Sequence, residues 1–228
     1  MPWEVDVLKS LPLLFSAMLL LSGCSTVSGW FGSSSKPLSK PAELVEFKPS
    51  ATLTRTWDAN VGSGSPFAFS PDTDGEAVYA AGHEGRVIRL DLASGREQWR
   101  IDAGQMLSAG VGVGDGLVLV GTRKGVLLAF KSADGSPAWS ANLSAEVLTP
   151  PVAANGVVVA RTNDGKVYLL DSASGKQRWT YSRTLPALTL REQGHLLLGN
   201  NAVFAGHAGG KLTALALNNG APVWEVNV

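Results

Sequence analysis

The sequence predicts an all-β fold, and three observations in its 228 residues support that prediction. A tryptophan recurs at a nearly constant spacing, and glycines recur at fixed distances before it. Charged residues make up only 17%, below the roughly 25% of an average soluble chain. A period of about 40 to 45 residues is typical of a propeller blade, which is a four-stranded antiparallel sheet. We therefore predict a β-propeller.

Three residue columns define the repeat. Successive tryptophans lie 40, 40 and 45 residues apart, with one glycine four residues before each and another fourteen residues before each. The columns are Trp99, Trp139, Trp179 and Trp224; Gly95, Gly135, Gly175 and Gly220; and Gly85, Gly125, Gly165 and Gly210. We predict four blades with the tryptophans packed between neighbours. The alternative for this column is a platform on which a sugar or quinone stacks.

The strands of one blade can be placed in the second repeat. An inner strand is predicted over 107–113, where Gly112 suits the crowded region near the propeller axis. Strands over 117–120 and 126–130 follow, and an outer strand carries the repeat tryptophan. Four strands of about six residues with four short connections fill one repeat.

Turn residues recur with the same chemistry. Asn155-Gly156 and similar pairs place glycine where a tight hairpin needs a positive φ. Asp91 and Asp171 precede Ser-Gly turns, where a carboxylate can accept backbone N–H groups. Recurrence at a turn favours this structural role over the alternative that the two aspartates are catalytic.

Trp57 extends the tryptophan column and lies 42 residues before Trp99, but no inner strands precede it. The sequence thus predicts five outer strands and four inner sets. In a closed propeller, such an early strand completes the last blade. We therefore expect a C-terminally incomplete ring, with a four-blade ring and a displaced first strand as the alternative.

The N-terminal segment reads as an export signal. The apolar run over 11–21 is shorter than the roughly 20 residues that span a bilayer, which fits a signal peptide over 1–23. Small residues then precede Cys24, and the stretch 24–50 is expected to be a flexible tether. Leu21-Ser22-Gly23-Cys24 resembles the lipobox of bacterial lipoproteins, which implies lipidation of Cys24. The alternative is a buried free cysteine after an apolar helix.

Composition and spacing argue against several other functions. Nineteen basic and nineteen acidic residues balance, which argues against a nucleic-acid partner. A single cysteine excludes an intramolecular disulfide and a four-cysteine zinc site. His83, His195 and His207 lack metal-ligand spacing and are expected in turns or at the surface. No metal and no cofactor are predicted.

The repeat resembles a known motif. Leu90-Asp91-Leu92-Ala93-Ser94-Gly95 and Leu170-Asp171-Ser172-Ala173-Ser174-Gly175 are similar to the repeats of pyrroloquinoline-quinone-type propellers. With the lipobox, the chain resembles the BamB family of propeller lipoproteins. That resemblance implies eight blades and a non-catalytic scaffold, anchored by lipid in the outer membrane of a Gram-negative bacterium and facing the periplasm. It also implies binding to the POTRA-type periplasmic domains of the barrel-assembly subunit and to other members of the Bam complex.

The third repeat step is five residues longer than the others, and the excess lies between Thr180 and Asn201. The segment there resembles the Leu-Ser-Leu-Arg type of partner-binding segment in that family. The resemblance assigns partner binding to Leu188, Leu190 and Arg191. The alternative is that both leucines belong to the core face of an inner strand.

Two other functions stay open at this point. One is a periplasmic dehydrogenase that depends on pyrroloquinoline quinone, since such enzymes share the repeat. The other is a sensor or carbohydrate-binding propeller that uses its exposed loops.

Overall fold

The computed structural model describes residues Glu43, Val45, 50–184 and 194–228. The chain divides into two compact units, Met1–Leu53 and Thr54–Val228. All strands of the described residues lie in the second unit. Across the described ranges there is no apolar helix long enough to cross a membrane.

Four sheets of four antiparallel strands form the second unit, and strand order within each sheet follows chain order. Blade 1 contains β1 (Asp72–Thr73), β2 (Ala77–Ala81), β3 (Arg86–Asp91) and β4 (Glu97–Asp102). Blade 2 contains β5 (Gly112–Gly114), β6 (Leu117–Gly121), β7 (Val126–Lys131) and β8 (Pro137–Asn142). Blade 3 contains β9 (Val152–Ala154), β10 (Val157–Arg161), β11 (Val167–Asp171) and β12 (Gln177–Tyr181). Blade 4 contains β13 (Leu196–Leu198), β14 (Ala202–His207), β15 (Lys211–Ala216) and β16 (Pro222–Asn227). The predicted β-propeller of four-stranded antiparallel blades is confirmed.

Apolar residues on both faces of each middle strand form the core. Tyr79 of blade 1 packs towards blade 2 in one cluster. Leu119 of blade 2 faces blade 3 in a second cluster, and Val159 of blade 3 faces blade 4 in a third. Strands that are buried on both faces need apolar residues at successive positions, which explains the apolar run over 157–160 in β10.

The predicted inner strand over 107–113 is wrong in its extent. The strand covers Gly112–Gly114, while Leu107 joins Thr122 only through an isolated bridge. The backbone N–H of Ser108 donates to the carbonyl of Gly121 at the end of β6, 3.0 Å away, while its hydroxyl donates to the carbonyl of Val147 in the next connector, 2.7 Å away. The strands predicted over 117–120 and 126–130 are observed, each one residue longer at its end.

The structure also differs from the sequence prediction at Trp57, because residues 51–71 contain no strand. A strand needs the edge of a sheet as its partner, and every paired strand in the described ranges belongs to blades 1 to 4. The indole of Trp57 nevertheless contacts blade 1, as described below.

The predicted turns are observed. Asn155 and Gly156 have φ values of 55° and 77°, as expected for a two-residue hairpin. The Asp91 carboxylate accepts the backbone N–H of Ser94 at 2.8 Å, and Asp171 accepts that of Ser174 at 3.1 Å. Both aspartates therefore have the structural role that their recurrence indicated.

Candidate interaction site of the blade array

The repeat tryptophans join each blade to the next. The indole N–H of Trp99 donates to the carbonyl of Ser132 at 3.0 Å. The same bond recurs from Trp139 to Ser172 at 2.7 Å and from Trp179 to Leu217 at 2.8 Å. Trp57 donates to the carbonyl of Leu92 at 3.0 Å, so its indole contacts blade 1 as the other indoles contact blades 2 to 4. The predicted inter-blade role of these side chains matches this geometry.

A glycine makes room for each of these indoles. A Cβ atom built on Gly175 would lie 2.5 Å from the ring of Trp139, and one built on Gly95 would lie 2.6 Å from that of Trp57. Gly175 and Gly95 also have φ near +70°, which favours glycine. The glycine four residues before each tryptophan is thus explained by the indole of the preceding repeat.

One face of blade 4 and one face of blade 1 are less covered by neighbouring residues than the faces that lie between two blades. We call the face of a blade that carries its repeat tryptophan the donor face. On blade 4 the donor face is exposed: Trp224 is 41% accessible and Val226 is 47% accessible. By contrast, Trp179 on the donor face of blade 3 is only 8% accessible.

The opposite face of a blade, which carries the glycine turn, is called the acceptor face. On blade 1 the acceptor face borders a cavity of about 1000 Å³. Val78, Ala80 and Leu90 line this cavity from the sheet, and Trp57 and Phe69 line it from the preceding segment. The segment before β1 therefore covers this face without filling it.

The connectors between blades differ in length. Residues 103–111 and 143–151 supply nine residues each, whereas residues 182–195 supply fourteen before β13 begins. The five additional residues of the third repeat thus lie in the connector between blades 3 and 4. Leu188, Leu190 and Arg191 belong to this connector but lie outside the described residues, and so does Cys24.

A charge cluster holds the start of the long connector to blade 4. Arg183 pairs with Glu225 of β16. Glu225 also accepts a hydrogen bond from Lys211 at 2.8 Å and one from the hydroxyl of Thr213 at 3.1 Å. The bonds from Arg183 and then Lys211 lower the pKa of Glu225 to about 2. Glu225 is therefore ionised throughout the physiological range.

A buried basic pair lies beside this cluster, and sequence reasoning did not find it. Arg161 at the end of β10 is 2% accessible and donates to the carbonyl of Gly206 in β14. Its other terminal nitrogen lies 3.2 Å from Nδ1 of His207. Burial lowers the pKa of Arg161, and burial together with the Arg161 charge lowers the pKa of His207 to about 4.

The expectation that His207 lies in a turn or at the surface is wrong, because it is 8% accessible within β14. His195 is exposed, as expected, and His83 lies in a turn with Nδ1 2.6 Å from the carbonyl of Leu107. A signal for the buried pair was available in the repeat. Arg161 stands where the other copies carry Ala81, Gly121 and Gly206.

The described ranges bring together no group of three histidine, cysteine, aspartate or glutamate side chains that could hold a metal ion. Their polar clusters instead join neighbouring blades. The arrangement is that of a blade array with exposed connectors, which suits protein recognition.

Comparison with known proteins agrees with this geometry. Residues 53–228 match the family model described as outer membrane protein assembly factor BamB. The assembly factor BamB of Xanthomonas campestris is 43% identical to the chain, over 97% of the chain and 59% of that protein. BamB of Pseudomonas aeruginosa is 42% identical, over 94% of the chain and 56% of that protein. The chain thus spans little more than half the length of these curated relatives.

Solved structures show the same fold. The crystal structure of BamB from Moraxella catarrhalis superposes with a TM-score of 0.66 and 29% identity, over 70% of this chain and 49% of that one. A quinohemoprotein alcohol dehydrogenase from Pseudomonas putida superposes with a TM-score of 0.56 at 19% identity, which shows a shared fold only. The family match covers all four blades and the tryptophan that precedes them, and the chain belongs to the BamB family of outer membrane protein assembly factors.

Proposed function

We propose that this chain is a non-catalytic scaffold of outer-membrane protein assembly. It binds the periplasmic domains of the barrel-assembly subunit and so aids insertion of β-barrel proteins, together with other members of the Bam complex. Membership of the assembly-factor family is the observation that carries this proposal. The blade array supports it, because a rigid framework presents its connectors in fixed positions.

The proposal includes a membrane anchor. Residues 1–23 are removed as a signal peptide, Cys24 is lipidated, and residues 24–50 tether the blades to the outer membrane on its periplasmic side. Two or three acyl chains hold a protein firmly, since each buried methylene contributes about 0.8 kcal/mol. The sequence motif that ends at Cys24 supports this part of the proposal.

The partner site is assigned to the connector between blades 3 and 4. This connector has fourteen residues, whereas the two others have nine each. Loops that are longer than the connection between two elements requires are common sites of recognition. Leu188 and Leu190 supply an apolar centre, and Arg191 adds forked hydrogen bonds beside it. The pairing of Arg183 with Glu225 fixes one end of the connector to β16 and so limits its loss of entropy on binding.

Co-purification tests this site. The double variant Leu188→Ala with Arg191→Ala is expected to reduce recovery of the tagged barrel-assembly subunit by about 30-fold or more, because the truncation of even one hot-spot side chain costs about 2 kcal/mol. The matched control is Met106→Ala with Arg96→Ala, which removes an exposed apolar side chain and an exposed arginine from blade 1 and the connector after it. Circular dichroism verifies that both variants fold. Unchanged recovery with the first variant, or equal loss with both, contradicts the assignment.

A further inference from the structure

We propose that Arg161 and His207 bind a small monovalent anion, such as chloride, at the interface between blades 3 and 4. Two buried N–H donors and one buried cation come together there without a matching acceptor or carboxylate among the described residues. This inference does not rest on the function proposed above, because both residues lie inside the blade array.

The two side chains belong to the buried interface between blades 3 and 4. Arg161 shares a face of β10 with Val159, and His207 shares a face of β14 with Ala205, because side chains alternate along a strand. Val159 and Ala205 are members of the apolar cluster that joins these blades. Arg161 is 2% accessible and His207 is 8% accessible, so water hydrates neither side chain well. The polar pair therefore lies at one end of an apolar interface.

The hydrogen bonds of the pair leave two donors unused. One terminal nitrogen of Arg161 donates to the carbonyl of Gly206, and the other lies 3.2 Å from Nδ1 of His207. Arginine has donors only, so Nδ1 accepts and the proton of the neutral imidazole is on Nε2. Nε of Arg161 and Nε2 of His207 are thus buried donors, and neither has a hydrogen-bond partner among the described residues. Because buried donors without an acceptor are unfavourable, an acceptor at this place would stabilise the interface.

The charges around the pair are also out of balance. Glu225 is close enough to interact with His207, but it already pairs with Arg183 and Lys211. Burial alone lowers the pKa of Arg161, and no carboxylate in the described part of the chain pairs with it. Three cations and one carboxylate leave an excess of two positive charges. A buried charge without a counter-ion is strongly unfavourable, and an anion would offset it.

The equivalent place between blades 2 and 3 needs no such ligand. Gly121 stands at the repeat position of Arg161, and a Cβ atom built on it would lie 2.4 Å from the side chain of Val147. An apolar side chain of the connector thus fills this place. Thr122 stands at the position of His207, and its hydroxyl accepts a local backbone N–H at 2.9 Å. In the described blades, the cationic donors are therefore particular to the interface between blades 3 and 4.

An unpartnered guanidinium nitrogen is not sufficient for such a site, as Arg89 shows. Its Nε also lacks a hydrogen-bond partner among the described residues. However, its guanidinium carbon lies 5.6 Å from the centre of the Tyr79 ring. The carboxylate of Asp74, which accepts the Tyr79 hydroxyl at 2.7 Å, is also close enough to interact with its charge. Arg89 is half-buried and compensated, whereas Arg161 is neither, so Arg89 provides a matched control.

The burial of both nitrogens limits the ligand to a small ion. A monovalent halide or nitrate loses less hydration on burial than a multiply charged phosphate does. Such an ion can accept charge-assisted hydrogen bonds from arginine and histidine together. A carboxylate of another protein would have to bring its own backbone into the interface between the blades. The site therefore fits a halide or nitrate best.

Thermal unfolding of the full 228-residue chain tests the site. Sodium chloride is compared at pH 7.5 with sodium gluconate of equal ionic strength, since gluconate is too large to enter a buried site. An ion that binds only the folded chain stabilises it by mass action. At about tenfold its dissociation constant, chloride should lower the unfolding constant about tenfold and so raise Tm by about 3–6 °C relative to gluconate.

Two variants show whether Arg161 causes this difference. Arg161→Ala introduces the residue type that blade 1 carries at this position, Ala81, and its Tm should be the same in both salts. Arg89→Ala removes an arginine from another interface and should retain the difference between the salts. A chloride effect that persists in Arg161→Ala, or that Arg89→Ala also abolishes, contradicts the proposal.

Crystallography with bromide locates the ion directly and decides the question even if Arg161→Ala does not fold. In crystals of the full chain grown with sodium bromide, an anomalous peak is expected within hydrogen-bond distance of Arg161 Nε or His207 Nε2. Equal Tm values in chloride and gluconate would show that ordered water satisfies these donors, which would overturn the proposal. Crystals without a peak at this place would also overturn it. A peak without a chloride effect on Tm would indicate an adventitious ion only and would overturn it as well.

Discussion

Arg161 shows how one substitution in a repeat position changes an interface. The equivalent residues in the other blades are small, whereas the guanidinium of Arg161 donates to the backbone carbonyl of Gly206 in blade 4. Because arginine only donates hydrogen bonds, Nδ1 of His207 accepts from Arg161, and the second ring nitrogen of His207 carries the proton. Protonating His207 would remove that bond and place two cations side by side. The buried pair therefore requires a neutral histidine.

This requirement makes stability depend on pH. Burial first, then the charges of Arg161 and Arg183, lower the pKa of His207 from 6.5 to about 4, while Glu225 opposes the shift. The unfolded chain binds this proton near pH 6.5 and the folded chain only near pH 4. Stability is therefore complete above pH 6.5 and is lost as the pH falls towards 4.

The measurement is urea unfolding near pH 7.5 and pH 4.5. His207→Gln keeps an acceptor for Arg161 and cannot titrate, so it should reduce the loss of unfolding free energy between these pH values by about 2–3 kcal/mol. His195→Gln, which changes an exposed histidine, should show the same loss as the wild type. An equal loss in all three proteins would show that His207 does not cause it.

At the scale of elements, the inner strands of blades 2 and 3 approach each other so closely that their backbones are in contact. A Cβ atom built on Gly112 of β5 would overlap the carbonyl oxygen of Pro151, and one built on Gly114 would overlap that of Ala153 in β9. Only glycine permits such an approach. The inner strands of blades 2 and 3 are thus positioned by backbone contact rather than by side-chain packing.

Gly112→Ala should therefore destabilise the array by about 1–3 kcal/mol, since the strands must move apart. The matched control is Gly206→Ala in β14, where a built Cβ meets no atom within 4 Å and φ is not positive. It should change stability by less than about 0.5 kcal/mol. Thermal unfolding, followed by circular dichroism, compares the two variants. Equal changes in Tm would show that the close approach of β5 and β9 does not account for the loss of stability.

These elements also show what the sequence could and could not predict. The strands over 117–120 and 126–130 were found because their partners are close in sequence and each has a local turn signal. The predicted inner strand over 107–113 is too long, since Leu107 joins Thr122 only through an isolated bridge and the Ser108 hydroxyl bonds to Val147 in the next connector. The role of Arg161 was missed for the same reason, since its partners lie in β14. Periodicity within one repeat carries no information about bonds between repeats.

At the scale of the whole array, stability comes from contacts between successive blades. Each apolar cluster of the described residues lies between two neighbours, and an indole hydrogen bond accompanies each of these interfaces. In such arrays the total stability is approximately a sum over repeats and nearest-neighbour interfaces. Weakening a central interface should therefore release the blades on both of its sides.

Gly175→Ala tests this expectation at the interface between blades 2 and 3. Gly175 and Gly156 have similar φ values, 69° and 77°, so alanine strains the backbone at both positions. Only at Gly175 would the new methyl group meet an indole, 2.5 Å from the ring of Trp139, whereas nothing lies within 4 Å at Gly156. Gly175→Ala should thus accelerate amide hydrogen exchange in β6–β8 and β10–β12 by about tenfold or more relative to Gly156→Ala. Because both variants strain the backbone, this difference measures the effect of the indole contact alone. Faster exchange confined to the strands of blade 3, or equal changes in both variants, would show that this contact does not couple the two blades.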